Sequence, residues 1–251
     1  MRERVLAFLV RCVADGLLTE AEAAGLLRRF DAGEAMSLPL DLGDGVQDLT
    51  ADDVAAAQAW AAQFVDSDEQ QHEDMRAGYV AWQQGLAEQL ASGQIGVAAW
   101  QRGMLDAIKA HLVAQGLAGG MSVAEALAAL GPELMTQAAF LSRFADEWLA
   151  RWLMGRPMSA AEIANRALSY AGAGWGWFYR ARERDTRDGW VVDYVSRDDP
   201  RTCGPCLDAE ARGPYLPGTG PYPGQVCLGR GHCRCQRVER YDPEAWRRLV
   251  G

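Results

Sequence analysis

The sequence predicts a mainly α-helical protein: a helical body followed by a small, irregular β module at the C-terminal end. Three observations carry this expectation. Residues 51–188 are rich in Ala, Leu, Gln, Glu and Arg, all good helix formers. Apolar residues in this region recur at helical spacing. After Gly189, glycines and prolines become too dense for a regular helix to persist.

The chain opens with an apolar stretch, Val5 to Val10, that ends at Arg11. No small-residue cleavage site follows, so the segment reads as an amphipathic first helix and not as a secretion signal. With a second helix begun by the capping pair Thr19 and Glu22, it forms a helical hairpin over residues 1–30. Residues 31–50 read as a linker, punctuated by Gly33, Pro39, Gly43 and Gly45. Asp41, Asp44 and Asp48 lie within it, but no glutamate closes a calcium loop of roughly twelve residues, so a solvated acidic loop is expected.

The helical body spans residues 51–188. Ser122 with Glu125, Ser159 with Glu162 and, more weakly, Thr50 with Asp53 have the spacing of capping boxes, which satisfy free amides in a first helical turn. Trp100, Met104, Ile108 and Leu112 form one apolar stripe, and Phe140, Phe144, Trp148 and Trp152 a second. Ile163, Ala167, Ala171 and Trp175 begin a third, with Leu168 beside it. All three are expected to be core faces rather than cofactor boxes. Arg180, Arg182, Arg184 and Arg187 close the last long helix, where positive charge complements the helix dipole. His72 and His111 fall on helices with no nucleophile beside them.

The module spans residues 189–251. Trp190 to Val195 consists almost entirely of β-branched and aromatic residues and reads as a strand. Beyond it, only 207–212 has the composition of a helix before Gly213 and Pro214 intervene.

Charge divides along the same line. The whole chain of 251 residues carries a net charge of −9. Residues 1–175 carry −11 and residues 176–251 carry +2. That balance argues against general coating of nucleic acid and leaves only local basic sites. No segment offers about 18 uninterrupted apolar residues, so a non-membrane protein made in the cytoplasm is expected. Hydrolase and nucleotide-binding signatures such as H-E-x-x-H, G-x-S-x-G and G-x-x-x-x-G-K-[ST] are absent, and no small-molecule substrate or enzymatic activity is expected.

The cysteines carry the chemistry. Cys12 stands alone, while Cys203, Cys206, Cys227, Cys233 and Cys235 cluster in the module. In a reducing compartment such a cluster points to metal before disulfide. Zinc takes four soft or borderline ligands in a tetrahedron, and the C-x2-C knuckle at Cys203 and Cys206 presents two. Cys227, His232, Cys233 and Cys235 compete for the remaining places. Cys203, Cys206, Cys227 and Cys233 are the first choice, with one structural zinc per chain, and sets using His232 or Cys235 stay open. The same Cys203-Gly-Pro-Cys206 is also a thioredoxin-type redox tetrapeptide, so a thiol-disulfide oxidoreductase is the alternative, although the alternating βαβ order of that fold is missing. A zinc-binding nucleic-acid adaptor is a third reading.

The stretch Trp190…Asp198-Asp199-Pro-Arg201-Thr202-Cys203-Gly-Pro-Cys206, then Pro223-Gly224, then His232-Cys233-Arg234-Cys235, resembles the C-terminal signature of phage minor head proteins, the phage Mu F-type head morphogenesis group. Gly93-Gln-Ile95 with Trp100 and Met104, Gln137…Phe144-Ala145, and Met158-Ser159…Tyr170 are similar to that group, so the resemblance spans about residues 93–240. His232 abuts Cys233, where the group spaces the two apart, and Cys227 is an added candidate that could replace the histidine, so the ligand set stays open. The resemblance implies a structural minor capsid or head-assembly protein of a tailed phage or prophage, found in the virion or the host cytoplasm during assembly. It implies portal and major capsid subunits as partners. DNA proximity would run through Arg180, Arg182, Arg184 and Arg187, and through Arg230, Arg234 and Arg237.

Overall fold

A computed structural model describes residues 2–14, 20–33, 50–63, 68–184, 187–229 and 233–251. The helices are α1 (Arg2–Ala14), α2 (Glu20–Asp31), α3 (Ala51–Ala61), α4 (Asp68–Ser92), α5 (Val97–Ala118), α6 (Val123–Leu153) and α7 (Ala160–Arg182). The module adds β1 (Trp190–Val195), α8 (Gly204–Arg212), β2 (Gln236–Tyr241) and α9 (Pro243–Val250). The protein is therefore mainly helical, with a small two-stranded sheet. Among the described residues no helix is long and apolar enough to cross a membrane.

Local sequence sets the helix starts. Thr50, Ser122 and Ser159 each close a reciprocal capping box, with Asp53, Glu125 and Glu162 at the third helical position. The Thr19–Glu22 pair and the acidic linker at Asp41, Asp44 and Asp48 lie outside the described residues.

Helix α5 is the hub: α3, α4, α6 and α7 all pack on it. Its sequence shows why, since apolar side chains cover most of the helix surface instead of forming a single stripe, as a helix packed on several sides requires. Trp100, Met104, Ile108 and Leu112 are all buried, as their spacing predicts.

The second stripe is corrected by the structure. Phe144 is buried and meets Trp100 at 4.4 Å between ring centroids, but Phe140 is 43% exposed. The continuous core face of α6 runs instead through Leu134, Leu141, Ala145 and Leu149. Trp148 and Trp152 turn towards Phe8 of α1, which anchors the N-terminal hairpin on the body. In the third stripe Ile163 and Ala167 are buried, and the side chains of Ala171 and Trp175 lie outside the described residues.

The interior also holds polar groups. His72 of α4 bonds Gln115 Oε1 of α5 through Nδ1 at 2.5 Å and stacks on Phe178. His111 stacks on Tyr79 at 4.0 Å, and Trp60 meets it edge-on.

The module is more regular than its glycines and prolines predict. Strands β1 and β2 pair antiparallel from Trp190↔Tyr241 to Val195↔Gln236, and Val192 makes a further bridge to Tyr215. Both α8 and α9 pack against β1. Neither β2 nor α9 is predicted from the sequence, and α8 starts at Gly204, three residues before the stretch with helical composition. The reason is local: Pro205 sits in the first turn of α8 and Pro243 in that of α9, where a missing amide costs nothing and the fixed φ favours the helix.

Candidate metal centre

Three segments deliver the thiols. Strand β1 alternates inward and outward, so Tyr194 points into the module with its hydroxyl 3.4 Å from Cys206 Sγ. The chain then turns sharply. Asp198 adopts a positive φ of 46°, and Asp199 Oδ1 accepts from the Arg201 amide at 2.9 Å and from the Thr202 hydroxyl at 3.3 Å. This is ordinary turn chemistry. It places Cys203 at the N-cap of α8, and Cys206 follows one turn later with its sulfur 3.3 Å from Cys203 Sγ. The loop after α8 returns with Cys227, 3.9 Å from Cys203 Sγ, and the next amide, Leu228 N–H, donates to Cys203 Sγ at 3.4 Å. The third segment brings Cys233 and Cys235 in just before β2.

The five sulfurs form two groups of three, Cys203–Cys206–Cys227 and Cys206–Cys233–Cys235, each with its sulfurs within 4.8 Å of one another. Cys206 belongs to both. A tetrahedral zinc with Zn–S bonds of about 2.3 Å has sulfur–sulfur edges of roughly 3.8 Å. The separations of 3.3 and 3.9 Å fall around that value, so the residues fit a soft metal ion such as zinc. Cys203 and Cys227 are partly exposed at the mouth; Cys206, Cys233 and Cys235 are at most 4% exposed. His232 and Arg230 lie outside the described residues, and Cys12 is buried in the core and belongs to neither sulfur group.

The thiols differ in acidity. Hydrogen bonding from Cys235 outweighs burial and brings Cys233 down to about 5. Burial opposes ionisation of Cys203, but the Leu228 amide and the neighbouring thiols overcome it and its pKa falls. Burial pushes Cys206 and Cys227 up, and hydrogen bonding to Cys233 pushes Cys235 up. Thiolate character is therefore concentrated at Cys203 and Cys233, one in each half of the cluster, and thiolates are the form that binds metal.

Two arginines bind the cluster to its surroundings. Arg234 makes a two-pronged ion pair with Asp199 at 2.6 and 2.8 Å, tying the Cys233–Cys235 segment to the turn that leads into Cys203. Arg76 of α4 donates to the Cys233 carbonyl and to Glu73, which fixes the module on the helical body. Between α4 and the module lies a cleft of about 600 Å³, walled by Arg76, Val80 and Gln84 on one side and by Arg197, Arg201 and the thiols on the other.

The other predicted basic residues are engaged within the chain. Arg180 lies over Trp177 and Tyr222, Arg182 over Phe178 and Arg187 over Trp190, while Arg184 pairs with Glu125. Arg237 is not a surface contact. Its side chain is fully buried, bonds both oxygens of Glu183 at 2.6 Å and donates to the Pro221 and Thr219 carbonyls. Its place on the inward side of β2 explains this, and a β2 reading of the sequence would have found it. Tyr194 was legible as an inward strand position. Arg76 carried no signal, because its partner is a backbone carbonyl 157 residues away.

No protein-family profile, no curated protein and no solved structure matches the chain.

Proposed function

We propose that this chain is a structural component of a tailed-phage or prophage head, a minor capsid or head-assembly protein whose metal-stapled C-terminal module contacts a portal or major capsid subunit. One observation carries the reading. Five residues of the stretch that resembles the minor head signature, far apart in sequence, meet in space: Asp199 holds Arg234, and Cys206 meets Cys233 and Cys235. A zinc ion on Cys203, Cys206, Cys227 and Cys233 would join three loop segments that have little core of their own. A tetrahedron filled by protein ligands has no place for substrate, so its role is to fix shape. One ion per chain suffices for this staple.

The test is co-expression with portal and major capsid proteins of the same phage or prophage. The chain is expected to co-purify with one of them, and Cys203→Ser/Cys206→Ser is expected to abolish the association. Normal heads formed without the chain, together with no co-purification, would overturn the proposal. Salt-sensitive retention on DNA alone would favour a nucleic-acid adaptor.

A thiol-disulfide oxidoreductase is the second reading, and a specific observation favours it. Cys203 caps a helix N-terminus after a strand, its pKa is lowered, and its sulfur lies 3.3 Å from Cys206 Sγ. Against it, Cys206 is surrounded by further thiols rather than by an apolar wall. Metal-free protein that reduces insulin disulfides catalytically would establish the redox reading and remove the structural one.

A further inference from the structure

We infer that the thiol cluster is a two-metal centre, in which Cys206 and Cys233 are shared between two ions; this rests on the reading of the thiols as metal ligands. The starting point is the fifth sulfur. One tetrahedral ion on Cys203, Cys206, Cys227 and Cys233 leaves Cys235 over. Yet the Cys235 sulfur lies within 4.8 Å of both Cys206 and Cys233, in a group whose members are at most 4% exposed. That second group is as compact as the first and shares a corner with it.

A thiolate sulfur has three lone pairs, so it can bond two metal ions at once. Cys206 is common to both groups and Cys233 also meets the Cys227 thiol of the first, so sharing Cys206 and Cys233 gives the first ion four sulfurs. The second ion takes Cys206, Cys233 and Cys235, and a water or another small donor entering from the adjoining cleft completes its tetrahedron. The Tyr194 hydroxyl, 3.4 Å from Cys206 Sγ, is placed to donate to that shared sulfur.

Charge points the same way. One zinc with four thiolates has a net charge of −2, whereas two zincs with five thiolates have −1. Buried charge is costly, so the smaller net charge suits the interior. The remaining charge faces Arg76 and Arg234, with Arg197 and Arg201 on the cleft wall. Every described thiol of the module then has a metal to bind, and the Cys203–Cys206 and Cys233–Cys235 segments are each tied to both ions.

The experiment uses the full chain, purified under reducing conditions and titrated with zinc alone, with the bound metal counted by native mass spectrometry. Two zincs per chain are expected at saturation, and Cys235→Ser is expected to lower the count to one while the module stays folded. Replacing zinc with cadmium-113 should give two resonances in the thiolate region, coupled to each other through the shared sulfurs. A count of one in the wild-type chain, unchanged by Cys235→Ser, overturns the second ion and leaves the single-ion staple intact. A count of zero overturns both. Two ions with only one cadmium resonance in the thiolate region would mean that the second is adventitious, and would also overturn the proposal.

Discussion

Arg237 and Glu183 join β2 to the end of α7 with both side chains removed from water, and Glu183 also accepts from the Gly218 amide. Removing one member leaves the other charged, buried and unpaired, a loss of about 3–5 kcal/mol. Urea unfolding of Arg237→Met should show a loss of that size. The double variant Glu183→Leu/Arg237→Met should recover part of it, short of full recovery because the Pro221 and Thr219 carbonyls lose their donor. A second prediction concerns His72 and His111. Burial brings His72 down to about 4 and His111 well below its usual value. The unfolded chain protonates these rings near pH 6.5, while the folded chain resists, so the unfolded state binds more protons between those limits. Their contribution to stability should be flat above about pH 6.5 and fall as pH drops towards 4, by about 3 kcal/mol from His72 alone. His72→Phe should flatten the slope in urea titrations at pH 7 and 4.5; an unchanged slope would assign it to other groups.

Two glycines give opposite predictions at the scale of elements. A Cβ on Gly119, at the end of α5, would lie 2.4 Å from the Phe178 carbonyl oxygen and 2.6 Å from Ala181 Cβ, so α7 would have to move away from α5. Gly119→Ala should cost about 1–3 kcal/mol. Gly85 lies inside α4 with open space around it, and Gly85→Ala should stabilise the protein by roughly 0.5–1 kcal/mol. Thermal melts of the two variants should therefore shift in opposite directions. Elements built from local rules were legible in the sequence: the Thr50, Ser122 and Ser159 caps and the Trp100–Leu112 stripe appear as their spacing predicts. Less legible were elements whose formation depends on distant partners. Strand β2 reads Gln-Arg-Val-Glu-Arg-Tyr, too polar to suggest a strand, because Arg237 points inward to Glu183 and only Val238 among its central residues is apolar. Phe140 has the right spacing for the core but faces outward, since α6 turns its Leu134–Leu149 face to α5. At the site, spacing alone identified the thiols. It could not show that Cys206 stands between two groups, because that depends on how three loops meet.

For the whole molecule, the acidic helical body and the cysteine module depend on different forces. The body is held by a core around α5, whereas the module is small and its loops converge on the thiols. Chelation should therefore leave far-UV circular dichroism nearly unchanged while limited proteolysis begins to cut within residues 189–251. A uniform loss of helix would show that body and module unfold as one. The β1–β2 pairing has a further consequence, for the order in which the molecule assembles. Val195 and Gln236 are hydrogen-bonded neighbours although 41 residues separate them in sequence, and bringing such ends together in a flexible chain costs roughly 3 kcal/mol of entropy before any strand contact forms. Each of helices α3 to α7, taken singly, forms from near neighbours and needs no such closure for its own turns. With an ion on the thiols, Gln236 lies one residue from the fixed Cys235, and the long closure becomes several short ones. In the proposed metal-bound form the supply of metal would act as a clock for maturation: the helical body could fold first, and the module would be completed when an ion arrives.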